Sequence, residues 1–146
     1  MPKFTFTFGQ DGLMVPVIIG LNGETTTELF SKGLPIAPPV EARGIIDTGS
    51  TVTAICPWVF QKLGIPALHT RTTQTASGPA KVRIFSVSIG IRESLQPSAA
   101  AFTAPTVLVM ELPNDLPDED VLVGLDVLQE LNLLLEGPAK TFSLIF

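Results

Sequence analysis

A chain of 146 residues, 45% hydrophobic and 16% charged, has the composition of one globular domain with a single core, not of a disordered segment. A formal net charge of −5 and the lack of any Lys/Arg run exclude the basic stripe of a nucleic-acid-binding surface. A single cysteine, Cys56, and a single histidine, His69, exclude an internal disulfide and leave too few soft ligands for a metal centre.

Taken in chain order, the punctuation is that of a β protein, because 13 prolines and 12 glycines separate short apolar runs. Lys3-Phe4-Thr5-Phe6-Thr7-Phe8 alternates as a half-buried strand does. Residues 13–21 read as a second strand, Asn22-Gly23 as a tight turn and residues 24–30 as a third strand. Residues 31–40 hold Gly33, Pro35, Pro38 and Pro39, which predicts an exposed, inserted loop. Arg43-Gly44-Ile45-Ile46 forms a strand that ends at Asp47, and residues 51–55 a further short strand.

Pro57 suits the first position of a helix over residues 57–63, which Gly64 stops and Pro66 keeps from resuming. Residues 70–91 read as one hairpin with its tip at Ser77-Gly78-Pro79, and residues 101–112 as a strand. An acidic loop at 113–120 leads to a buried strand, Val121-Leu122-Val123. A second short helix follows over 124–131, with Asp126 near its positive N-terminal end. Residues 133–135 and 141–146 form the last strands, around a turn at Gly137-Pro138. The expected fold is all-β, a closed or partly open barrel with one or two short helices, filling residues 1–146 as one domain.

The chemistry centres on Ile45-Ile46-Asp47-Thr48-Gly49-Ser50. A carboxylate at the end of a buried strand is costly unless donors surround it. Thr48 and Ser50 bring hydroxyls, and Gly49 lets backbone N–H groups approach. Asp, Thr, Gly and Ser are also turn formers, so the tetrapeptide by itself suits a surface turn as well.

Its surroundings make the chain resemble the retropepsin-like aspartic peptidases, above all the single-lobe bacterial kind. Two apolar residues followed by Asp-Thr-Gly-Ser form that family's first signature, here residues 45–50. The short strand and helix that come next match residues 51–64. The family's second signature, an apolar pair and a glycine, matches Leu122-Val123-Gly124, with its helix at 125–131. A flap hairpin belongs between the two, where residues 70–91 lie.

The resemblance implies an acid-protease-type barrel with Asp47 as the catalytic acid. Thr48 would bond across a two-fold axis, Gly49 would offer an N–H and Ser50 would bond the outer carboxylate oxygen. Ser77, Gly78 and Pro79 would lie in the flap, and Val123 and Gly124 in the loop behind the catalytic strand. Only one Asp-Thr-Gly exists, and Asp126 lacks the Thr-Gly that follows a catalytic aspartate. The expected unit is therefore a homodimer that hydrolyses peptides without a cofactor. Strands 3–8 and 141–146 would interleave with the partner's. Residues 31–40 have no counterpart in the family pattern, and the flap tyrosine of pepsins is absent, since the chain has no tyrosine. A non-catalytic peptide-binding or dimerisation module of the same fold is the alternative.

Other constellations carry less. No Gly-x-Ser-x-Gly sequence accompanies His69, so a serine triad lacks its elbow. Cys56 and Trp58 read as core or interface, and Asp118, Glu119 and Asp120 as a solvated acidic loop. The first residues lack a charged start and a long apolar run, and the apolar stretch at 15–21 is too short for a bilayer. A cytoplasmic location is expected.

Overall fold

The computed structural model describes residues 1–146. Ten strands and three short helices follow one another as β1 (Lys3–Thr7), β2 (Met14–Leu21), α1 (Gly23–Ser31), β3 (Val40–Ile46), β4 (Ala54–Ile55), α2 (Pro57–Leu63), β5 (His69–Thr75), β6 (Gly78–Arg92), β7 (Ala101–Glu111), β8 (Val121–Val123), α3 (Leu125–Leu128), β9 (Asn132–Glu136) and β10 (Thr141–Ile145). Strands β2-β3-β8-β4-β7-β6 are hydrogen-bonded in that order, and β6 pairs back onto β2, closing a six-stranded barrel. Alternate residues point inward, so Val15, Val17, Ile19, Phe85, Val87, Ile89 and Ile91 fill it, each 3% exposed or less. Phe85 stacks on Phe60 of α2 at 3.8 Å between ring centroids, which seats that helix against the barrel.

Two expected boundaries change. Residues 24–30 form helix, not strand, so the chain has three helices and no hairpin at Asn22-Gly23. Three consecutive threonines favour a strand, but local capping outweighs them. The Asn22 side-chain oxygen accepts from the Thr25 N–H at 2.7 Å, as an N-cap does. Its amide nitrogen donates to the Ser86 hydroxyl at 3.1 Å and fixes the helix start against β6. The segment between β2 and β3 is thus a helix over Gly23–Ser31 plus a stretch without regular structure before Val40, which covers most of the expected loop at 31–40. The second change concerns residues 51–55, where only Ala54 and Ile55 are strand. Residues 51–53 bend away to back the loop after Asp47.

The chain's two ends form a separate sheet in the order β1-β10-β9. β1 and β10 pair antiparallel over five residues, Lys3 with Ile145 through Thr7 with Thr141. Phe4, Phe142 and Leu144 are buried on its inner face. Both edges of β10 are therefore occupied within one chain. The expected interleaving of residues 3–8 and 141–146 with a partner's strands is closed at that strand.

The acidic loop is not uniformly solvated, because Asp120 is only 6% exposed. It accepts from the Arg43 N–H at 2.8 Å, the Arg43 guanidinium at 3.2 and 3.3 Å and the Trp58 indole N–H at 3.1 Å. One carboxylate thereby ties β3, α2 and the start of β8 together. Cys56, fully buried beside it, accepts from the Leu116 N–H, and burial pushes its thiol up. It is a core residue.

Burial alone would raise the Asp120 carboxyl. Hydrogen bonds from the Arg43 side chain and backbone and from Trp58, with the Arg43 charge, outweigh burial and hold the carboxyl below its usual range. A carboxyl depressed in the folded state contributes stability above its unfolded pKa of about 3.9, and that contribution is lost as pH falls through the folded value. Asp120→Asn is expected to be less stable than the parent chain at neutral pH, with a gap that narrows below about pH 4 in urea titrations. A gap of constant size down to pH 3 would contradict this role.

Candidate active site

Asp47 stands at the C-terminal end of β3, where the barrel brings two loops into contact. β3 runs parallel to β8, with Ile45 beside Leu122 and Ile46 beside Val123. The Asp47 N–H donates to the Val123 carbonyl at 2.9 Å, which fixes the carboxylate-bearing residue to the strand beside it. Its side chain turns back on its own loop, where Asp47 Oδ1 accepts from the Gly49 N–H at 3.0 Å. The Ser50 N–H donates to the Asp47 carbonyl at 3.2 Å and closes the turn. Asp47 is half-buried, while Thr48 and Gly49 beside it are exposed.

Three expected site residues can be located around it. Gly49 offers its N–H to Asp47. The Ser50 hydroxyl does not reach the carboxylate in this chain and donates instead to the Val52 carbonyl at 2.6 Å. That shorter local contact turns the hydroxyl toward residues 51–53. The Thr48 side chain makes no hydrogen bond within the chain and sits on the exposed side of the turn.

The second signature lies behind this loop. A Cβ on Gly124 would sit 2.8 Å from the Ser50 carbonyl oxygen and 2.9 Å from the Val52 carbonyl carbon, so no larger residue fits without moving backbone. The Leu125 N–H donates to the Ser50 carbonyl at 2.8 Å across the same gap. Val123, fully buried in β8, supplies the carbonyl that holds Asp47.

Sequence reasoning missed one part of this support. Thr53 is fully buried, and both its N–H and its hydroxyl donate to the Asp126 carboxylate, at 2.9 and 2.6 Å. The same hydroxyl accepts from the Gly124 N–H at 3.0 Å, and Asp126 Oδ1 also accepts from the Val127 N–H at 2.9 Å. Asp126 is thus a clamp between α3 and the segment after the Asp47 turn, with both of its carboxylate oxygens engaged. The signal lies in an acid two residues after the second-signature glycine, which the sequence presents as a favourable helix end and as a second acid without the Thr-Gly of a catalytic aspartate.

Elsewhere residues 70–91 form the expected hairpin, with its turn at Ala76-Ser77 and with Gly78 and Pro79, expected at the tip, already paired in β6. β5 pairs with β6 alone, from His69 with Ile84 out to Thr75 with Gly78, so the hairpin projects beyond the barrel. Its tip is held by the Thr75 hydroxyl, which donates to the Gly78 carbonyl at 2.6 Å, while Ser77 and Pro79 are exposed. At its base the Arg83 guanidinium meets Glu111 at 2.8 and 2.6 Å. An open cleft of about 530 Å³ between β7 and α3 is bordered by Val52, Leu108, Asp126 and Glu130, and Asp47 does not line it. No group of three or more His, Cys, Asp or Glu side chains is placed to hold a metal ion.

Asp126→Ala should leave the buried Thr53 N–H and hydroxyl without an acceptor, at about 1–3 kcal/mol. Denaturant unfolding measures that loss. A change under about 0.5 kcal/mol, the size expected of an ordinary surface substitution, would contradict the clamp.

No curated protein matches the chain by sequence. Among solved structures it is similar to a retropepsin-like aspartic protease from Rickettsia conorii, with a TM-score of 0.64 and 16% identity, over 99% of this chain and 91% of that one. At that identity the likeness establishes the fold, which is retropepsin-like. A family model described as "Aspartyl protease" matches residues 37–127, a span that holds both the Asp47 turn and Gly124. By that match, and with its barrel and paired loops in agreement, the chain belongs to the aspartyl protease family.

Proposed function

We propose that the protein is an endopeptidase whose active site forms between two copies of the chain, with one Asp47 from each. The observation that carries this reading is the state of Asp47 in a single chain. It has a rigid backing of Val123, Gly124, Thr53 and Asp126, one internal donor from Gly49, and no second acid. Its outward side, with Thr48, is open.

Two carboxylates brought together across a two-fold axis cannot both ionise, so they hold one proton between them. The ionised member takes a proton from the water they share, and that water attacks the peptide carbonyl carbon. The protonated member donates to the carbonyl oxygen as the tetrahedral species forms. Collapse of that species breaks the C–N bond, and the proton passes to the leaving amine. Gly49 N–H groups hold the pair from either side, and Thr48 hydroxyls fill the space at the axis. The substrate lies as an extended strand under the hairpin tips of residues 77–79 and pairs with them through its backbone.

Asp47→Asn should remove peptide cleavage while leaving the fold and mass in solution unchanged, because the asparagine side-chain oxygen can still accept the Gly49 N–H, the one hydrogen bond Asp47's side chain makes within the chain. Cleavage of a peptide library at mildly acidic pH, followed by mass spectrometry, measures it. Activity that survives the substitution sinks the reading. A folded dimer that binds peptides but never cuts them would favour the non-catalytic alternative.

A further inference from the structure

Residues 34–39, between α1 and β3, belong to neither the barrel nor the Asp47 turn. The segment Leu34-Pro35-Ile36-Ala37-Pro38-Pro39 leaves α1 through a glycine-capped end, where Gly33 has a φ of 65° and the Leu34 N–H donates to the Leu29 carbonyl at 3.0 Å. It is fixed again at Val40, which is buried and pairs with Ile19. Between those points residues 35–39 make no backbone hydrogen bond.

The prolines restrict this segment. Pro35, Pro38 and Pro39 have a fixed φ, and Leu34, Ala37 and Pro38 each precede a proline, which drives them toward extended or polyproline II backbone. Ile36 alone escapes both restrictions. A polyproline II helix repeats every three residues, so Leu34-Pro35 and Ala37-Pro38 recur one turn apart. Leu34 is 50% exposed, Pro35 and Pro38 are exposed and Ala37 is half-buried. Just before them, at the C-terminal end of α1, stands Lys32, the one cation in residues 23–42. Its ammonium meets Glu28 at 2.8 Å in the open, a screened pair that gives way to a better-placed acceptor.

We propose that residues 32–38 are a docking segment for a separate protein that reads polyproline II, through a groove walled by aromatic side chains and flanked by a carboxylate. Each apolar-proline pair fills one slot between aromatic rings, and Lys32 pairs with the carboxylate. A cation followed by two such pairs also fixes which way the segment runs in the groove. Both ends of the segment are tied and its prolines restrict the rest, so little conformational freedom is lost on binding. A second copy of this chain does not supply such a groove. Phe30 is the one aromatic residue among its exposed large hydrophobics, and its single tryptophan, Trp58, gives its indole N–H to Asp120. The inference is independent of the catalytic reading of Asp47.

A panel of purified SH3 domains with acidic specificity pockets, titrated into the whole chain by calorimetry, tests it. The parent chain should bind members of the panel with dissociation constants of about 100 μM or tighter. Pro35→Ala combined with Pro38→Ala should weaken binding at least about tenfold, and Lys32→Glu should weaken it several-fold. Circular dichroism should stay unchanged, because neither proline makes a hydrogen bond in the chain. Leu34→Asp, at an exposed position, should abolish binding by a second route. Absence of binding across the panel at about 1 mM, or a double proline variant that binds as well as the parent, overturns the proposal. So does a Leu34→Asp chain that keeps SH3 binding but loses self-association, or loses binding to phosphatidylglycerol vesicles, since the segment would then have another occupant.

Discussion

The close approach of Gly124 to the backbone of residues 50–53 governs the geometry of this molecule. A Cβ on Gly124 would sit 2.8 Å from the Ser50 carbonyl oxygen, so there is no room for a side chain, and β3 and β8, parallel and in register, hold the two segments at this approach. From that contact follow the Leu125–Ser50 hydrogen bond, the Thr53–Asp126 clamp and the seating of Asp47 on the Val123 carbonyl. A catalytic carboxylate must hold its position to a fraction of an ångström, and loops by themselves do not supply that. Here a loop is made rigid by a second loop packed into it from behind.

The same rigidity explains the division of labour across the barrel. The side of the Asp47 turn that faces the core is fully bonded, and the side that faces outward is bare. The hairpin at residues 69–92 is anchored by Arg83–Glu111 at its base, and β5 has no strand partner other than β6, so its outer edge is held less tightly than the barrel. Asp120, bonded to Arg43 and Trp58, performs at the far end of β3 and β8 what Asp126 performs near the site: one carboxylate accepts several donors and ties distant segments together. Asp120 and Asp126 are structural clamps that accept several hydrogen bonds, whereas Asp47, the catalytic candidate, accepts one.

Much of this was legible in the residues. The strand at 43–46, the proline-started and glycine-stopped helix at 57–63 and the hairpin at 70–91 follow from local chemistry that acts over a few residues, whereas the two signatures and their order come from the resemblance to the retropepsin-like peptidases. What was not legible depended on distant partners. The threonines of 25–27 read as strand because their propensity is local, whereas the helix start is fixed by Ser86 of β6 bonding to Asn22. Asp120 read as solvated because its donors, Arg43 and Trp58, come from elsewhere in the chain. Asp126 read as a helix end because Thr53 meets it only through the barrel. The terminal strands read as partner-seeking, and the structure pairs them with each other, leaving β1 and β9 as the two edges of that sheet.

The account stands on two chains completing one site, and mixing tests that most directly. Parent and Asp47→Asn chains, combined at fixed total concentration and allowed to exchange, should give peptidase activity that falls with the square of the parent fraction, because every mixed pair lacks one carboxylate. A linear fall would mean that each chain works alone, and would contradict the account.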